Sequence, residues 1–199
     1  MIVLVVATSN TGKFRLLRKL VLRCRSDMLV QRLSASLKPP EETEGTVKGN
    51  ALLKATHYSQ FVEANLLVCD DGLTLEQLPY NQQPGPRLKR VFENKNLTHD
   101  ELFQFWWDRF LPGTVLYGSR ERVMVFVDRQ KNHFVFDLSV RVLLRRPIIR
   151  PRTVRENPLS YFLFPLGSNK SFAQMDIGEK LVVYNDREGA LTNLLRRLS

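Results

Sequence analysis

The chain opens on an unbroken apolar stretch, residues 2–7, rich in β-branched side chains. That is the pattern of a strand covered on both faces. A polar turn follows, Thr8-Ser9-Asn10-Thr11-Gly12. Over residues 13–24 the period changes, and Phe14, Leu17, Leu20, Val21 and Cys24 fall on one face of a helix. Residues 28–33 predict a second strand. Pro39-Pro40 and the acids Glu41, Glu42 and Glu44 form a loop ending at Gly45, and Thr46 is placed to cap a second helix. In it Val47, Ala51, Ala55, Tyr58 and Val62 recur at three- and four-residue steps. Residues 66–69 then make a short apolar strand running into Asp70-Asp71-Gly72, a composition that predicts a solvated turn.

Residues 81–86 carry two prolines and a glycine and read as a loop. Residues 99–111 predict a helix with Leu102, Phe105, Trp106 and Phe110 inward. Residues 115–128 and 134–144 predict two strands around a turn at 129–133. Pro147, Pro151 and Pro158 break up the stretch after them, and a last helix is expected over 188–198. Helices and strands alternate in the first half, which is the signature of an α/β fold. The hairpin in the middle argues against a purely parallel sheet. There is no internal repeat, and residues 1–199 read as a single domain.

Composition narrows the class. With 43% hydrophobic and 25% charged residues, the 199-residue chain has the make-up of an ordinary folded domain, which excludes disordered and collagen-like classes. Two cysteines, Cys24 and Cys69, cannot supply a disulfide framework or a four-thiolate zinc site, and they read as reduced thiols of a cytoplasmic protein. The apolar runs fall far short of the about 20 residues a membrane helix needs. The net charge of +10 permits phosphate, nucleic-acid or anionic-surface partners without choosing among them.

Four segments carry candidate chemistry. At Thr8, Ser9, Asn10, Thr11, Gly12 and Lys13 a strand ends and a helix begins, so free N–H groups, side-chain donors and an ammonium converge where phosphate binds well. An ordinary capped turn would look the same. Asp70-Asp71, at a strand end, could hold Mg²⁺ with phosphate oxygens completing its shell, or position a water. The tract Arg141, Arg145, Arg146, Arg150, Arg152 and Arg155 holds no acid and reads as a charged edge or a nucleic-acid surface. Tyr161-Phe162-Leu163-Phe164 is an aromatic core strand or a platform for a base. Trp106-Trp107 faces two ways on a helix, one inward and one outward.

In order and spacing these segments resemble the inosine/xanthosine triphosphate pyrophosphatase family. Thr8, Asn10, Gly12 and Lys13 are similar to its T-x-N-x-G-K-x-x-E turn. Gly45, Thr46, Asn50, Ala51, Lys54 and Ala55 fit G-x-T-F-x-E-N-A-x-x-K-A. Asp70, Asp71, Gly72 and Leu73 resemble D-D-S-G-L with one residue deleted, followed by Pro84, Gly85 and Arg90. Tyr161, Phe164, Pro165, Gly167, Phe172, Ala173 and Met175 resemble the base-binding stretch, and Lys180, Arg187, Ala190 and Leu191 the closing motif. Residues 91–158 match only in general texture.

The resemblance implies a long central mixed sheet flanked by helices, in two lobes with a nucleotide cleft between them, and a homodimer. It implies Mg²⁺-dependent hydrolysis of non-standard purine nucleoside triphosphates (ITP, XTP, dITP) to the monophosphate and pyrophosphate. The Thr8–Lys13 turn would hold the triphosphate, Asp71 would be general base and metal ligand, and Asp70 a second ligand. Gly72, Tyr161, Phe162, Lys180, Asp186 and Arg187 would contact substrate.

The departures are specific. The Glu of the first motif is Leu16, and the metal-binding Glu before N-A is Gly49, beside Lys48. The Asp of the base-binding stretch is missing, and the Ser-His before the closing Arg is Asn185-Asp186. They support a second reading: a relative without turnover that serves as a nucleotide-binding or interaction module. Its possible nucleic-acid contact is the arginine tract.

Overall fold

The computed structural model describes residues 2–85, 98–152, 154, 157–184 and 189–197. Seven strands form one mixed sheet: β1 (Val3–Ala7), β2 (Leu29–Arg32), β3 (Asn65–Leu75), β4 (Val115–Val127), β5 (His133–Asp137), β6 (Val140–Arg145) and β7 (Leu163–Pro165). Their order is β2-β1-β3-β4-β6-β7, with β5 paired to β4. The helices are α1 (Thr11–Cys24), α2 (Val47–Ser59), α3 (His99–Arg109), α4 (Ile177–Val183) and α5 (Ala190–Arg197). The chain divides into two compact units. One is Met1–Asp71, Arg122–Leu138 and Tyr184–Ser199; the other is Gly72–Glu121 and Ser139–Val183.

The first unit explains the opening apolar runs. β1 pairs in parallel with β2 (Val3 opposite Leu29) and with β3 (Leu4 opposite Asn65), so β1 has a neighbour at each edge. Successive side chains on a strand point to opposite faces. Leu4, Val6, Leu67 and Cys69 therefore pack with Leu17 and Val21 of α1 and Leu195 of α5. Leu66 and Val68 pack with Val47, Ala51, Ala55 and Tyr58 of α2. Burial on both faces is what an unbroken apolar strand requires.

In the second unit β6 pairs antiparallel with β4 and with β7, and Phe103 of α3 meets Phe162 with ring centroids 5.1 Å apart. Trp106 is buried in this core, while Trp107 is half-buried and lies under Arg146.

Three expectations change. Asp70-Asp71-Gly72 is not a turn: β3 continues through it, and Leu73 and Leu75 are buried. Cations on both faces neutralise the carboxylates, so burial of the two acids is tolerated. The second strand of the hairpin is broken, with Leu138 and Ser139 separating β5 from β6. Helix α4 has no counterpart in the sequence pattern; Asp176 and Glu179 cap it reciprocally, each side chain accepting from the other's backbone N–H at 2.8–2.9 Å. Cys69 is buried, Cys24 is half-buried and both are free thiols. Among the described residues no helix is long and apolar enough to cross a membrane.

Candidate active site

Strand alternation separates the two aspartates. Continuing from Leu66 and Val68, Asp70 belongs to the α2 face; continuing from Leu67 and Cys69, Asp71 belongs to the α1 face. The ion pairs agree: Lys54 of α2 lies 3.1 Å from Asp70 Oδ1, and Lys13 of α1 lies 3.1 Å from Asp71 Oδ2.

Asp71 is gripped on both oxygens. Arg122 of β4 donates from Nε to Oδ1 at 2.6 Å and from Nη2 to Oδ2 at 3.0 Å. Asp71 and Arg122 are both buried, and the guanidinium lies over the Tyr184 ring, 4.2 Å from its centroid. Burial is the largest influence and lowers the affinity of Lys13 and Arg122 for their protons, but Asp71 together with the other groups around them outweighs it, and both are held above their ordinary values. Burial, seconded by Asp71, pushes the Cys69 thiol up, which disfavours its thiolate. No sequence signal marked Arg122: it sits in the charged triplet Arg120-Glu121-Arg122 of β4, which belongs to no motif.

Asp70 is differently placed. It is only 6% exposed; its Oδ1 accepts from Lys54, and its Oδ2 has no hydrogen-bond partner among the described residues. The same Lys54 ammonium lies 2.6 Å from Glu42 Oε1. Burial pushes the Asp70 carboxyl up, against the pull of Lys54 and Lys13. The Glu42 loop is fixed by Asn50, which is 1% exposed: its Oδ1 accepts from Glu44 N at 3.2 Å and its Nδ2 donates to Glu44 O at 3.0 Å. Lys48 is exposed, so the ammonium among the carboxylates belongs to Lys54.

The Thr8–Lys13 turn is a capped helix start. Asn10 Oδ1 accepts from Lys13 N at 2.9 Å, and Thr8 Oγ1 accepts from Asn10 N at 3.1 Å. Arg32, at the end of β2, reaches across it. Its guanidinium donates to Thr8 O at 3.1 Å, to Ser9 O and to Thr11 Oγ1 at 3.5 Å. Gly12 lies in the first turn of α1. Arg32 is a second cation at this turn, and no sequence signal marked it.

The sequence pattern of the Ham1 family matches residues 4–197. The chain belongs to the Ham1 family. A dITP/XTP pyrophosphatase of Acidobacterium capsulatum is 30% identical over 128 residues, 64% of this chain and 56% of that protein. The chain thus matches a little over half of that relative's length. A HAM1 protein from Coxiella burnetii superimposes with a TM-score of 0.70 at 20% identity over 100% of both chains. The Staphylococcus aureus Ham1 protein does so with 0.66 at 18% identity, over 97% of this chain and 96% of its own. A nucleoside-triphosphatase / dITP/XTP pyrophosphatase from Mycobacterium abscessus does so with 0.61 at 19% identity, over 98% and 94%. These superpositions establish the Ham1 fold: a mixed seven-stranded sheet flanked by helices.

Pyrophosphatases of the Ham1 family generally use a divalent metal ion. Asp70 fits one: a buried carboxylate oxygen without a partner beside a second carboxylate is an oxygen donor set for a hard cation. Asp71 fits poorly, since Arg122 and Lys13 occupy both of its oxygens. Among the described residues no three of His, Cys, Asp or Glu converge, but Mg²⁺ is usually held by one or two carboxylates and substrate phosphates.

The remaining Ham1 candidates lie in the second unit or outside the described residues. Gly72 is buried in β3. Phe162 is fully buried against Phe103 and Phe110, so its ring is core, whereas Tyr161 is half-buried at the edge of Phe103. Lys180 is in the last turn of α4. Asp186, Arg187, Arg90 and Arg155 lie outside the described residues. In the arginine tract, Arg141 pairs with Glu76 at 2.6 Å, Arg145 lies over Phe164 and Arg146 over Trp107, while Arg150 binds Gln104 at 2.6 Å.

Proposed function

We propose that this Ham1-family chain hydrolyses non-standard purine nucleoside triphosphates, of the ITP, XTP and dITP type, to the monophosphate and pyrophosphate, with Mg²⁺. The observation that carries the reading is the buried Asp70 carboxylate with one oxygen unpartnered, in the unit that also holds a cation-rich helix start. Family membership and the dITP/XTP pyrophosphatase relative support the substrate class.

The chemistry asks chiefly for positioning and charge neutralisation. The N-terminus of α1, with Thr8, Ser9, Asn10, Thr11 and Gly12, offers N–H and hydroxyl groups to the phosphates, and Arg32 adds charge there. Asp71, held by Arg122, fixes the Lys13 ammonium beside this turn. With both oxygens engaged it is better suited to positioning Lys13 than to taking a proton, the role the resemblance suggested. Asp70 and Glu42 would hold the cation. When bound, that cation would neutralise phosphate charge and acidify a coordinated water. Tyr161 is the aromatic left to meet a base, with Lys180, Asp186 and Arg187 as further contacts by resemblance. A cytoplasmic homodimer fits the family pattern and the two free thiols. In the arginine tract Arg141, Arg145, Arg146 and Arg150 have partners inside the chain, and Arg152 is exposed.

The test is pyrophosphate release from ITP, XTP, dITP, GTP and ATP with Mg²⁺, beside an Asp70→Asn control. Release should favour the first three and fall to background in the control. Equal release by parent and control on every nucleotide would overturn the proposal.

A further inference from the structure

Position 49 is where the family pattern places a carboxylate, and this chain has glycine there. A Cβ built on Gly49 would lie 2.8 Å from Glu44 Cβ and 3.0 Å from Glu44 Oε2. The acidic loop before α2 is therefore folded down over the first turn of the helix, into space a side chain at 49 would need. Asn50, buried, clamps the loop backbone at Glu44 through two hydrogen bonds, so the loop is held rather than draped. Two residues earlier in that loop, Glu42 shares the Lys54 ammonium with Asp70, at 2.6 and 3.1 Å. Two carboxylates thus face one ammonium, and Asp70 Oδ2, on a residue only 6% exposed, has no hydrogen-bond partner among the described residues. A buried anionic oxygen without a partner is costly unless a cation arrives.

From this we infer that Glu42, delivered by the loop rather than by the helix, is the second protein ligand of the divalent cation held by Asp70. Lys54 is then the counter-ion that keeps Glu42 and Asp70 together before the metal binds. The inference rests on the proposed metal-dependent reaction, and it names a ligand that the helix pattern leaves out. It also accounts for the glycine: with the loop seated on the helix, a glutamate at 49 would collide with Glu44.

Mn²⁺ alone is the probe, followed by its free electron-spin-resonance signal on titration of the full-length chain without nucleotide. The parent chain should bind, Glu42→Gln should weaken binding by about tenfold or more, and Asp70→Asn should weaken it further. Glu44→Gln, on the same loop, should bind as the parent does, and thermal unfolding should show Glu42→Gln to be folded. Parent-like Mn²⁺ affinity in Glu42→Gln, or no Mn²⁺ binding by the parent at millimolar concentration, would overturn the inference. Because this readout needs no turnover, it can succeed where the pyrophosphate assay fails, and the reverse.

Discussion

At the scale of single residues, adjacent aspartates have opposite fates because a strand turns them to opposite faces. Asp71 meets a guanidinium and an ammonium; Asp70 meets one ammonium and keeps an open oxygen. Removing one partner of a buried ion pair leaves the other charge stranded, at a cost of about 3–5 kcal/mol. Arg122→Ala is therefore expected to lower the unfolding free energy by about that amount, read from urea denaturation. Arg122→Met with Asp71→Leu should recover only part of the loss, since Lys13 then lacks its Asp71 partner. If Arg122→Ala unfolds at the parent's urea midpoint, the buried pair is not what anchors Asp71. Arg122 was not legible in the sequence, because nothing local distinguishes it from Arg120 in the same strand and its partner is 51 positions away.

At the scale of elements, local signals did well where the interaction is local. Thr46 caps α2 by accepting from Gly49 N at 3.0 Å, as its place before an apolar-periodic segment suggested. Thr98 and Glu101 form a reciprocal cap on α3, and the bonds to Thr98 hold the Glu101 carboxyl below its ordinary range. Thr98→Ala should cost about 1 kcal/mol in urea unfolding, with Glu101 titrating closer to an unperturbed glutamate by NMR. A second element-scale constraint is steric. A Cβ on Gly118 of β4 would sit 2.1 Å from the Thr74 carbonyl oxygen of β3, an obstacle made of backbone. Gly118→Ala should therefore lower stability by about 1–3 kcal/mol or more, and an unchanged melting temperature would contradict so close an approach of the two strands. The strand through Asp70-Asp71-Gly72 escaped prediction for the opposite reason: turn-forming composition is a local preference, and distant cations overrode it.

At the scale of the whole molecule, the first unit is assembled from three separate stretches of chain, and its last stretch contributes α5. Leu195 is fully buried against the face of α1 that carries Leu17 and Val21. Ending the chain before residue 184 should expose that face, giving increased binding of a hydrophobic dye and loss of a cooperative thermal transition. Retention of both native properties would show α5 to be dispensable. What the sequence determined by itself is the alternation of strands and helices, the two-sided burial of β1, the Thr46 cap of α2 and the order of motifs that marks the family. All of these depend on neighbours a few residues apart or on a linear pattern. Only the tertiary structure decided which cation meets which aspartate, that Arg32 closes over the Thr8–Thr11 turn, that Phe162 is core, and that Glu42 and Asp70 share the Lys54 ammonium. The reason is physical: a charge or a ring is given its role by whatever packs within a few ångströms of it, and those neighbours come from parts of the chain that carry no local record of one another.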